Sequence, residues 1–194
     1  MKYLTATAIA ALTATAALAD PVEYVFDKAH TEISASWVHQ GLSRQSMQFT
    51  DYDGTLMLDF DTPSNSTIDL TFNLIDGFWV GAHHDRFIAH LNSDEIFNTA
   101  EFPTARFVAT GFETEDGETG TMTGDLTLVG VSVPVTLDVT LNRLRDDGTA
   151  GFTATGTVMR TDWGPTVGIY AGPISDEVII TINTELEVAA ADAE

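Results

Sequence analysis

Five histidines, His30, His39, His83, His84 and His90, are the side chains of this 194-residue sequence best suited to metal or acid–base chemistry; there is no cysteine. His83 and His84 precede Asp85, and that trio invites a metal-dependent enzyme as one reading. The spacing argues against a strong version of it. His83 and His90 are seven residues apart, so on a helix they share a face but sit about 10 Å apart along it. One ion cannot span that, and neither H-x-x-x-H nor H-E-x-x-H occurs. Nucleophilic catalysis has no G-x-S-x-G to stand on. With 29 acidic residues, chance pairs of carboxylates are certain and carry no specificity. These residues lead us to expect no enzyme, no bound metal and no resident cofactor.

The large rings point elsewhere. Trp37, Phe72, Phe78, Trp79, Phe87, Phe97, Phe107 and Trp163 lie on apolar faces or in loops beside them. Gly77-Phe78-Trp79-Val80-Gly81 sets two rings in a glycine-flanked loop, which is costly unless they cover something. A second apolar loop, Gly164-Pro165 through Gly168-Ile169-Tyr170 to Gly172-Pro173, follows Trp163. Two such loops could form a rim or lid over the mouth of a barrel.

The elements that must position these rings are strands. Leu126 and Leu128, then Val131, Val133, Val135, Leu137, Val139 and Leu141, alternate with polar residues around Val129-Gly130. Period two means one apolar face and one wet face, hence two antiparallel strands around a turn. Similar alternation runs from Ile33 to His39, Leu56 to Phe60, Ile68 to Leu74, Ala105 to Ala109, Phe152 to Val158 and Val178 to Leu186. Asp53-Gly54, Asp116-Gly117 and Asp147-Gly148 mark turns between them. About eight strands result, enough to close a small barrel whose lumen holds side chains or one ligand. Residues 77–103 break the pattern. Over 85–98, Phe87, Ile88 and Leu91 share a helical side, and Ser93 is expected to cap a second short helix that turns Ile96 and Phe97 inward. The expected layout is four strands, counting a bent first one, a short helical excursion around 85–98, and about five more strands.

Residues 1–19 read as a signal peptide: Lys2, an uncharged stretch, then Ala17-Leu18-Ala19 before Asp20, with cleavage expected after Ala19. Residues 20–194 then form one domain, without stable membrane insertion. Loss of Lys2 leaves seven basic residues against 29 acidic ones, a net charge of −22, with Lys28 the one lysine. Such a chain repels phosphate backbones and anionic membrane surfaces, which excludes nucleic acid as a partner. Much of the acid is read as a hydration layer.

Several segments together match the signature of a known family over nearly all of residues 20–194. Tyr24, Asp27, His30, Thr31 and Ile33 match its Y-x-x-D-x-x-H-[ST]-x-[IV] opening, and Trp37 to Gly41 its following strand with a second histidine. His90-Leu91 through Ser93 to Phe97, then Phe102-Pro103 and Phe107, resemble its H-L-x-S-x-x-F-x…[YF]-P-x-x-x-F segment. Gly124, Leu126-Thr127, Gly130 and Pro134-Val135 resemble G-x-L-T-x-x-G-x-[ST]-x-P-[VL], and Arg160 to Gly164 resemble R-[ST]-D-[FW]-G. Together these segments resemble the YceI-like family of polyisoprenoid-binding, lipid-binding-like proteins, with two departures. Asp85-Arg86 reverses an R-D pair that often precedes the H-L segment, and Ile96 replaces one aromatic.

The resemblance implies an all-β, lipocalin-like, extended antiparallel eight-stranded barrel in an exported periplasmic protein, often a homodimer. It implies an apolar tunnel for an isoprenoid, a quinone-like lipid or another long-chain amphiphile. Trp37, Phe72, Leu74 and Phe107 would line that tunnel, with Phe78, Trp79, Phe87, Leu91 and Trp163 nearer its mouth. His39 or Arg86 could meet a polar head. Leu126, Leu128, Val133, Val135, Leu137 and Val139 are candidate wall. A pyrophosphate head would need basic partners, of which Arg86, Arg106 and Arg160 are candidates, so a neutral head fits this acidic chain more easily. The rival from another class is an accessory protein of a membrane redox or transport complex, docking through its acidic surface.

Overall fold

A computed structural model describes residues 20–82, 84–164, 167 and 174–190. The expected leader, 1–19, lies outside them. Among the described residues eleven strands occur: β1 (Val22–Phe26), β2 (Glu32–His39), β3 (Ser43–Phe49), β4 (Tyr52–Leu58), β5 (Thr67–Asn73), β6 (Phe78–Trp79), β7 (Thr104–Thr114), β8 (Thr119–Leu128), β9 (Val131–Leu144), β10 (Ala150–Met159) and β11 (Ile174–Val188). A helix, α1 (His84–Leu91), stands between β6 and β7.

Pairing resolves these strands into eight staves. The order β1-β4-β5-β7-β8-β9-β10-β11 closes on itself through antiparallel pairing of β1 with β11. β2 continues the β1 stave along β11, from Asn183 back to Ile174, and β3 continues the β4 stave along β2. The barrel is thus an up-and-down meander with its first two staves bent, and the all-β, eight-stranded expectation holds. Closure leaves the main ladder without free edges, which is how a long one-sided sheet covers its apolar face.

Alternation decides which side chains enter. In β9, Val135 and Leu137 are buried while Thr136 and Asp138 are exposed. In β2, Ile33, Ala35 and Trp37 are buried on one face. The β8–β9 turn is Val129-Gly130, with φ of 47° and 76°. Positive φ at both central residues is what a two-residue hairpin needs, and Gly130 supplies it without strain. Val129 is a β-branched residue in that region, held there by burial in the core cluster with Trp163 and Val135.

Three features differ from the sequence reading, the first being that Asp53-Gly54, expected as a turn, lies within β4, paired with Thr71 and Leu70 of β5. β3, with the sequence SRQSMQF, carries no clean apolar alternation and is exposed over its first four residues, so nothing in its pattern announced a strand. The second helix at Ser93 does not form. Residues 92–97 make turns instead, with Ile96 and Asn98 amides both donating to the Ser93 carbonyl. Ile96 and Phe97 are nevertheless buried, as their placement required.

The excursion between β5 and β7 folds back over one end of the barrel. Leu74, Phe78, Leu91, Ile96, Phe97 and Ala105 form a cluster there, and Phe87 on α1 stacks parallel to Trp37 at 6.1 Å. Leu74 and Phe78 are each only 1 % exposed. The excursion is therefore a plug, built from Leu74, Phe78 of β6, the turn residues Ile96 and Phe97, and one face of a two-turn helix.

Candidate functional site

Inside the barrel runs a cavity of about 340 Å³, walled by residues from all eight staves. On β8 it follows Gly120 to Leu128, about 26 Å of strand at ~3.3 Å per residue. Its wall is aliphatic and aromatic through the middle: Leu70 and Phe72 of β5, Phe107 of β7, Met122 of β8, Leu137 of β9 and Ile180 of β11 are examples. Such a lumen has nothing to offer water and a great deal to offer a hydrocarbon chain.

The two ends differ. At the plugged end the cavity meets Leu74, Phe97, Trp163 and Val167, all buried. Trp163 sits in a 3-10 turn, Arg160–Trp163, and donates its indole N–H to the Leu126 carbonyl at 3.0 Å. Arg160 borders the cavity beside it. Its guanidinium donates to three backbone carbonyls, Ser175 at 2.9 Å, Val167 at 2.7 Å and Ile174 at 3.3 Å. Burial pushes its pKa down from the usual guanidinium value, partly offset by Asp176. It is the one basic side chain on the cavity wall among the described residues.

At the other end the cavity runs out to exposed residues of the β7–β8 hairpin, Glu113, Thr114, Gly117 and Glu118, and to the loop after β4. This is the mouth among the described residues. The β4–β5 loop is drawn tight by Asp59, whose carboxylate accepts the Asp61 and Thr62 amides and the Asn65 side-chain amide. Those donors, Asn65 first, hold the Asp59 carboxyl below its ordinary pKa. The loop thereby presents Phe60, stacked on Phe152 at 6.1 Å and edge-on to Tyr24 at 5.8 Å, just inside the opening. The hairpin tip is fixed in a similar way by Asp116. The Thr119 and Glu118 amides and the Thr119 hydroxyl hold its carboxyl down to about 2.

Of the residues singled out from sequence, Phe72, Leu74, Phe107 and Trp163 border the cavity, as do Leu126, Leu128, Val135, Leu137 and Val139. Val133 packs against the core cluster beside them without reaching the lumen. Trp37, Phe78, Phe87 and Leu91 pack within the plug, behind the cavity wall. Trp79, expected near the mouth, is 56 % exposed on β6. His39 ends β2, and Arg86 is exposed on α1; neither borders the cavity. The excursion loop expected as a rim thus forms the closed end, while 165–166 and 168–173 of the second loop lie outside the described residues. Sequence reasoning missed the acidic opening, Phe60, Phe112 and Phe152. Phe60 and Phe152 did carry a signal in the alternation of their segments.

Of the His83, His84 and Asp85 trio, His83 lies outside the described residues, Asp85 is exposed, and His84 has a buried Nδ1 without a hydrogen-bond partner. A different group, Asp27, His30 and Glu185, brings its ligand atoms within 4.8 Å of one another at the β1–β2 bend. Its geometry serves the backbone. Asp27 pairs with the His30 ring at 2.6 Å and accepts the Ala29 amide at 2.9 Å, and none of the three borders the cavity.

The comparisons with known proteins agree with this geometry. The model of the YceI-like domain family matches residues 24–186. Protein YceI of Salmonella arizonae is 35 % identical over 190 residues, covering 95 % of this chain and 96 % of its own. The crystal structure of Burkholderia cenocepacia BcnA superposes with a TM-score of 0.73 at 21 % identity, covering 83 % of this chain and 99 % of that one. A polyisoprenoid binding domain from Saccharophagus degradans superposes at 0.62 with 15 % identity, covering 87 % and 99 %.

Proposed function

The chain belongs to the YceI-like family, and we propose that it is a periplasmic binding protein that sequesters or carries a long-chain isoprenoid or similar amphiphile in its barrel. The observation that carries this reading is the continuous apolar lumen, closed at one end by a buried plug and open at the other. Each methylene moved from water into such a lumen contributes about 0.8 kcal/mol, so a chain of about ten carbons has ample gross driving force before ordering costs. The fold shared with the polyisoprenoid binding domain of Saccharophagus degradans favours a branched, unsaturated chain as cargo. The leader expected over residues 1–19 favours export. We assign the protein no reaction; its work is binding and release.

The test is mass spectrometry of a solvent extract of protein purified from its native host, since a foreign host could load the wrong lipid. A stoichiometric long-chain isoprenoid or related amphiphile is expected. Phe72 stands on the cavity wall between the plug and the middle of the barrel, against Phe49 and Tyr52. Phe72→Asp would set a charge in the path of the chain and empty the barrel. A folded Phe72→Asp protein with unchanged lipid content would sink the assignment.

A further inference from the structure

We infer that the mouth of the barrel selects its ligand by head-group charge, admitting amphiphiles with neutral or cationic heads and rejecting those ending in phosphate or carboxylate; this rests on the lipid-binding reading above. The inference starts from the two segments that frame the opening. Residues 59–66 and 113–121 contain Asp59, Asp61, Glu113, Glu115, Asp116 and Glu118, and no basic residue. Three of those residues, Asp59, Glu113 and Glu118, line the cavity at this end. Asp59 is only 8 % exposed, and its hydrogen bonds keep it ionised into acid, so a negative charge is fixed in the loop that also sets Phe60 on the cavity wall. Asp116 is likewise locked in its charged form at the hairpin tip.

Arg143 and Arg145, which follow the β9 residues paired with the β7–β8 hairpin, leave this field standing. Neither borders the cavity, and Arg145 is paired with Asp147 at 3.3 Å. Arg160 faces the lumen from the plugged end, engaged with three carbonyls. A chain that enters tail-first therefore leaves its head among carboxylates. Carboxylates around a cleft with apolar walls focus the potential at its entrance. An anionic head is repelled there and has no hydrogen-bonded cation to replace its water, whereas an alcohol or amide loses little and an ammonium gains.

The experiment uses delipidated residues 20–194 loaded with phenylnaphthylamine, a neutral apolar fluorophore. The dye is displaced at low salt by a fatty alcohol, a fatty amine and a fatty acid of equal chain length, each below its micelle concentration. The alcohol and amine are expected to displace the dye, and the acid to need about tenfold more, the scale of a few carboxylates acting through water at short range. High salt and the double variant Glu113→Gln, Glu118→Gln are each expected to narrow that gap. An acid that competes as well as the alcohol, or a gap that neither salt nor the variant changes, overturns the selectivity while leaving the lipid-binding reading intact. Failure of the alcohol and of the dye itself to bind overturns both.

Discussion

Asp27, Lys28 and His30 show how a few polar side chains set a bend in a strand. Five residues, 27–31, stand opposite two on β11, between the Phe26–Leu186 and Glu32–Asn183 pairs. The surplus chain is folded into a turn by the Asp27 carboxylate, which binds the Ala29 amide and the His30 ring. Lys28 reaches across to the Tyr52 carbonyl at 2.7 Å, with its ammonium 5.1 Å from the Tyr52 ring, and so ties this bend to the start of β4. The D-x-x-H pattern at the start of the domain is thereby explained as a backbone device. It also makes stability depend on pH. The Asp27 hydrogen bond raises the His30 pKa above 6.5, and the same bond lowers the Asp27 pKa below 3.8. The His30 contribution is fully present below pH 6.5 and is lost as pH rises through the raised folded value; the Asp27 contribution is present above pH 3.8 and is lost as pH falls through the lowered one. Urea midpoints should therefore decline from mildly acidic to alkaline pH. His30→Asn should flatten that decline, and an equal decline in the variant would assign it to other groups.

At the level of elements, the plugged end depends on Arg160 as a clasp. It joins the end of β10 to the start of β11 through three carbonyls, while the neighbouring Thr161 amide and hydroxyl bind Asp176 at 2.9 and 2.8 Å. Hydrogen bonds from a charged donor contribute about 1.5–3 kcal/mol each, and freed carbonyls that reach water recover part of that, so Arg160→Met should cost about 2–4 kcal/mol in equilibrium unfolding. Arg160→Lys should recover little, because an ammonium cannot present the planar fork. The barrel staves were legible in the sequence because each carries its own period-two record, as Val131 to Leu141 does. β3 was not, because it takes its place from neighbours: Ile33–Phe49 and His39–Ser43 pairing hold a polar strand in register. Nor was the open end. Which end of a barrel is sealed depends on where residues 74–103 fold back, and Phe78 and Leu91 look the same in sequence whether they cover a mouth or form a plug.

At the scale of the whole molecule, the charge is the dominant physical fact after closure. A net charge of −22 on residues 20–194 is spread over an outer face of threonine and carboxylates. Among the described residues, the Arg106–Asp69 and Arg145–Asp147 bridges are exposed pairs of the kind that contribute little. Self-repulsion therefore outweighs attraction on the surface. Added salt screens both, with a Debye length falling from about 30 Å at ~0.01 M to about 8 Å at ~0.15 M, and the larger effect relieved is the repulsion. The melting temperature of the delipidated protein should accordingly rise with sodium chloride, by about 2–4 °C for each ~1 kcal/mol of repulsion removed. Chloride is the salt to use, because sulfate would also strengthen apolar burial and confuse the reading. A melting temperature that falls with chloride would mean that the few bridges outweigh the carboxylates. The same screening acts at the mouth, so the salt that stabilises the barrel should also relax its preference among head groups, and the two titrations should share a midpoint range.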